Sequence, residues 1–145
     1  MSIRLSEFPE YLAAMAAAVA GNFELARANL EALIVKIDGK CESEQLAYVW
    51  QLLADVEGRA GNEERGLLLH ERALAIDRSN PLMLLLCAKS LLGGFHRPDL
   101  ALAHITAAEA LMSSHDWIRR DDDMPREWYA REIFAVRQQA MQNKS

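Results

Sequence analysis

The side chains best able to hold a metal or activate water in this 145-residue chain are four imidazoles, His70, His96, His104 and His115, and two thiols, Cys41 and Cys87. A zinc site needs such groups in short-range pairs, as in CxxC or HExxH, so that two ligands leave one turn toward one ion. No such pair occurs, and the two cysteines stand in distant parts of the chain, so no metal, no other cofactor and no disulfide framework is expected. His104 falls among Ala and Ile at helical spacing, and His70 stands alone on its own helix. Asp121-Asp122-Asp123 offers oxygen donors for a hard cation. It lacks the alternating ligand spacing of a calcium loop and adjoins Arg119-Arg120, so it reads as a solvated loop placing negative charge ahead of a helix. The sequence has no GxSxG, phosphate loop or GxGxxG, and Gly93-Gly94 is a turn. Catalysis is not expected, and no catalytic residue is assigned.

What must position any other site is a globular chain. Apolar residues make up 51% and charged residues 26%, too hydrophobic for disorder and long enough for one domain over 1–145 with one core. The net charge of -5 has the wrong sign for gripping phosphates, which excludes a nucleic-acid role. The acidity peaks in residues 41–80, where four Arg face eight Asp and Glu; a basic partner and ordinary solvated helix faces both fit that balance. Two unpaired cysteines suit a reducing cytoplasm. LAAMAAAVA, residues 12–20, is preceded by Glu7, Pro9 and Glu10 where a signal peptide carries positive charge, and no apolar run approaches the roughly 18 residues of a membrane span.

Every strong period in the chain is helical. Leu12, Met15, Ala16 and Val19 share one face of a first helix; Phe23, Ala26, Leu30, Leu33, Ile34 and Ile37 form the stripe of a second. Gly21-Asn22 separates them, and Gly61-Asn62 separates a third helix (Leu46, Val49, Trp50, Leu53, Val56, Ala60) from a fourth (Leu67, Leu69, Ala73, Leu74, Ile76). At Ser79-Asn80-Pro81 the fourth ends and a fifth begins, with Asn80 able to cap it and Pro81 at a position whose N-H has no helical partner anyway. The fifth helix, residues 81–92, is apolar on nearly every side. The sixth starts at Pro98, with Leu100, Ala101, Ile105, Ala108 and Leu111 inward, and after a charged linker over 113–123 a C-terminal helix covers 124–142. Its stripe is Tyr129, Ala130, Ile133, Phe134, Val136, Ala140 and Met141.

Six helices make three hairpins, and the hairpins look like copies: Gly21-Asn22 recurs at Gly61-Asn62, and small residues at Ala14, Ala26, Ala54, Gly66, Ala88 and Ala101 let backbones approach. Residues 47–80 resemble a tetratricopeptide repeat. Trp50, Leu53 and Ala54 stand at that family's Trp, Leu and small residue of the first helix, Gly61 at the turn, Gly66 and Ala73 at the small positions of the second, and Leu74 to Asn80 matches the repeat ending. Glu57, His70 and Arg78 depart from it, standing where the family prefers Tyr, Phe or Tyr, and Pro. Weaker copies cover about 7–40, keeping Ala14 and Ala26, and 81–112, keeping Ala88, Ala101 and Ala108.

The resemblance implies an all-α, right-handed solenoid of three such hairpins with an additional capping helix, and a scaffold that binds protein in its concave groove. The groove positions of the family map to Phe8, Tyr11 and Met15, to Tyr48, Gln51, Asp55 and Arg59, and to Leu85 and Lys89. That lining suits an apolar helix or peptide of another protein. Tyr11, Met15, Gln51 and Asp55 do not match the Lys/Asn clamp with which some members hold a terminal carboxylate. Two finer readings rest on fold analogy: a small bacterial type III secretion-type chaperone, and an acidic immunity or antitoxin protein against a basic enzyme. Should the tail leave helix five uncovered, a homodimer through 81–92 or through the C-terminal helix is expected.

Overall fold

The computed structural model describes residues 2–114 and 124–143. A single 3-10 turn, Leu5–Glu7, leads into α1 (Pro9–Val19), α2 (Phe23–Ile37), α3 (Ser43–Arg59), α4 (Glu63–Ile76), α5 (Pro81–Gly93), α6 (Pro98–Ser113) and α7 (Arg126–Gln142). The fold is all-α, with no strand among the described residues. The contacts group the chain into two compact units, Met1–Arg78 and Ser79–Ser145. The boundary falls at the Ser79-Asn80-Pro81 break, where Asn80 Oδ1 accepts from the Leu82 N-H at 3.0 Å and Pro81 opens α5.

In the first unit α1 packs on α2, α2 on α3 and α3 on α4. The small residues Ala14, Ala26, Ala54 and Gly66 are buried, and Leu30, Leu33, Ile37 and Leu53 fill the space between the helices they bring close. The two hairpin turns are local copies. Gly21 and Gly61 adopt φ of 79° and 89°, a left-handed conformation that a side chain disfavours. In each, the N-H of the following Asn reaches back to close the helix, Asn22 to Ala17 O and Asn62 to Glu57 O, both at 2.8 Å. Ahead of α1 the chain is pinned to α3: Gln45 Oε1 accepts from the Ile3 N-H at 3.1 Å while its Nε2 donates to Ile3 O.

In the second unit α5 and α6 pair and α7 packs on both. α5 is apolar almost all round, and its Met83, Leu84, Leu85, Cys87, Ala88, Leu91 and Leu92 are buried, leaving no exposed apolar side chain along the helix. α7 contributes Tyr129, Ile133, Val136 and Ala140. The other half of its expected stripe is turned outward, with Phe134 62% and Met141 58% exposed, because one helix line can face α5 and α6 while the line one residue on cannot. The linker from residue 115 on, with His115 and Asp121 to Asp123, lies outside the described residues.

Candidate interaction surface

α1 settles against α2 through its smallest side chains. Ala14 and Ala17 are 1% and 5% exposed, whereas Leu12 is 54% and Val19 88% exposed. The face shared by Leu12, Met15, Ala16 and Val19 is therefore the outward one, with Met15 half-buried at its edge. Residues two apart on a helix lie about 200° from each other, so Ala14 inside puts Leu12 and Ala16 outside. That signal was in the sequence: Ala14, Ala17 and Ala18 share a face, and small residues mark where backbones approach.

Phe8, at the N-cap of α1, and Met15 are half-buried beside Leu12 and Val19, so positions 8, 12, 15 and 19 form one apolar seam. Tyr11, next to it, packs against the core of the unit and meets Tyr48 of α3. Burial foremost, then Tyr11 with its hydrogen-bonded phenol, pushes the Tyr48 hydroxyl up to about 12. The two tyrosines are thus partners for each other. Gln51 is only 5% exposed and lies largely beneath the surface. Asp55 and Arg59 form an ion pair along α3 at 3.0 Å.

Leu85 and Lys89 belong to the second unit. Leu85 is 0% exposed and is a core residue, not a lining one, since the all-apolar α5 is enclosed by its neighbours. Lys89 is exposed but engaged: it donates to Glu132 of α7, and its ammonium lies 5.7 Å from the centroid of the Trp128 ring.

A buried carboxylate went unforeseen. Glu57 is 0% exposed; Arg27 of α2 donates to its Oε1, Asn62 Nδ2 donates to Oε2 at 3.2 Å, and Arg65 of α4 stands 3.5 Å from Oε2. Arg65 also donates to Glu31 of α2 at 2.8 Å, so three helices and a turn meet in one ionic cluster bordering a shallow cleft. These charges face one another across three helices, which makes the cluster a fastener. His70 is 2% exposed, and burial holds the His104 imidazole below its usual range. Among the described residues no three His, Cys, Asp or Glu side chains gather as a metal site requires. No helix there is long and apolar enough to cross a membrane.

No family model matches the chain, and no curated protein matches it significantly.

Proposed function

We propose that this chain is a non-catalytic protein-binding module, built of degenerate tetratricopeptide-type hairpins, that takes an apolar segment of another protein onto the outer face of α1 beside Tyr11 and Tyr48. The observation that carries this reading is the exposure of Leu12 and Val19 between half-buried Phe8 and Met15. Side chains spaced four, three and four residues apart make a seam with the period of a helix-helix contact. The seam spans roughly 16 Å of helix, three turns. Covering four such side chains contributes up to about 1.5 to 3 kcal/mol each, against which association itself costs at least about 4 kcal/mol. The surplus, at most about 8 kcal/mol, corresponds to a dissociation constant no tighter than about 1 µM for a short segment.

The test is a synthetic helical peptide of about three turns with Leu at its a and d positions, titrated into the labelled protein by NMR. Resonances of Leu12, Met15 and Val19 should move, and Val19→Glu should abolish binding without lowering the melting temperature. Binding undiminished in Val19→Glu sinks the reading. The acidic immunity-protein alternative is favoured by the charge of the first unit alone. It predicts a partner held through Asp and Glu, indifferent to Val19→Glu and released by salt.

A further inference from the structure

We propose that Gln45 and the apolar surface under Ile3 and Leu5 form a docking site for an extended apolar peptide, which the chain's own residues 2–7 fill until a partner displaces them. This site is separate from the outer face of α1 and takes a different kind of chain. Residues 2–7 lie on the first unit as a bound peptide lies on its receptor. Arg4 is extended, with φ -103° and ψ 108°, and burial alternates: Ile3 and Leu5 are half-buried on the core of the unit while Ser2 and Arg4 face water.

Gln45 holds this stretch through the backbone of a single residue. Its Oε1 accepts from the Ile3 N-H at 3.1 Å and its Nε2 donates to the Ile3 carbonyl at 2.6 Å. A neighbouring strand in an antiparallel sheet makes the same exchange, so one side chain stands in for a sheet edge.

Two observations make the segment replaceable. Among the described residues no other hydrogen bond or ion pair ties it to the helices: the Glu7 N-H returns to Arg4 O, and the Arg4-Glu7 pair, 4.0 Å apart, lies within the segment and mostly in water. The receptor, by contrast, is held without it. Gln45 is the third helical residue of α3 and closes its capping box, its Oε1 also taking the Glu42 N-H at 3.4 Å, so the amide keeps its place when the segment leaves. A site organised in advance loses little on exchanging one peptide for another.

That geometry states what a partner must offer. Its gripped residue needs a free N-H and so is not proline, and that residue and the second one after it must be apolar, while the one between them faces water. Phe8 tethers the resident segment, which therefore competes at an effective concentration on the order of 1 mM, and a partner must add contacts beyond those of Ile3 and Leu5.

The experiment uses the full chain, the peptide Ser-Ile-Arg-Leu-Ser-Glu with blocked ends, and the backbone amide resonances of residues 45 and 46 followed by NMR. In the double variant Ile3→Asp, Leu5→Asp, which strips the resident anchors, the peptide should shift those resonances at about tenfold lower concentration than in the unaltered chain. The same peptide with Pro replacing Ile should not shift them. Adding Gln45→Glu, which keeps the acceptor that caps α3 and loses the donor, should weaken binding about tenfold while the melting temperature holds. A double variant that fails to fold is replaced by Ile3→Pro, which removes the gripped N-H and leaves the helices untouched. Equal shifts in the unaltered and released chains, or binding indifferent to Gln45→Glu, overturns the site. Sedimentation showing a dimer of the unaltered chain that Ile3→Pro returns to monomer overturns the partner peptide in favour of segment exchange between two copies.

Discussion

In the first unit a carboxylate occupies the packing: Glu57 is fully buried and drawn on by Arg27, Asn62 and Arg65 from three directions. In the second, the corresponding burden falls on hydrocarbon, an almost wholly apolar α5 closed over by α6 and α7, while Lys89-Glu132 and Arg137-Glu109 lie toward the outside. The contrast separates two ways of fixing helices. Apolar burial supplies most of the free energy but tolerates sliding, whereas a buried carboxylate with directed donors admits few arrangements and contributes little net stability. The first unit, which bears the exposed α1 seam, is the one with the directed fastener.

The contrast predicts unequal costs. Cutting the chain after Asp123 removes α7 and uncovers α5. Losing the burial of Tyr129, Ile133 and Val136 forfeits roughly 1.5 to 3 kcal/mol for each, enough to unfold a marginal unit. Cys87, 0% exposed with its thiol pushed up to about 12 by burial, should become reactive to an alkylating reagent, while Cys41 of the first unit changes less. A truncated chain that keeps Cys87 protected would show that α6 alone encloses α5.

A smaller loss is expected from Arg27→Ala, which leaves Glu57 buried beside a more distant Arg65: about 3 kcal/mol, read by denaturant melting of the first unit. If the midpoint holds, the cluster is ornamental and the two units are fastened alike. Within the hairpins the comparison sharpens further. Asn22 caps α2 by accepting from the Leu25 N-H at 3.3 Å, whereas the matching Asn62 gives its side chain to Glu57 and leaves α4 without that cap. The turns agree in backbone and differ in side-chain duty because Ala17 in one hairpin is Glu57 in the other.

The smallest effect concerns Tyr48. Its folded pKa of about 12 lies above the ordinary 10, so the unfolded chain ionises first as pH rises. The stability it contributes is whole below pH 10 and is lost between pH 10 and about 12. Tyr48→Phe should flatten that alkaline limb of the melting curve, and an unchanged limb would mean the Tyr11-Tyr48 contact does not persist in solution.

Helices, turns and small-residue contacts were legible because their signals are local. Gly21-Asn22, Asn80-Pro81 and the buried Ala14, Ala26 and Ala54 act through backbone conformation and nearest turns. The orientation of α1 was not legible, because its outward stripe is as apolar as a core stripe, so hydrophobicity alone could not choose the side. Phe134 and Met141 failed likewise, lying one position along from Ile133 and Ala140, which turn inward. Glu57 was visible only as a misfit between Val56 and Gly58, since the arginine that explains it is 30 residues away. Of the proposed surface, Phe8, Tyr11, Met15 and the residues of α3 were named from the family resemblance, while Leu12 and Val19, its most exposed members, were legible only as part of an apolar face.

The position of α7 in the chain has a consequence for synthesis. The ribosome delivers α1 to α4 in order, and each packs on the one before it, so the first unit can consolidate as it emerges. α5 emerges next with Leu82 to Cys87 facing water, and it is not enclosed until α7, beginning only at Arg126, has followed. For that interval the nascent chain displays its most hydrophobic helix. A chaperone that waits at the tunnel exit should bind there.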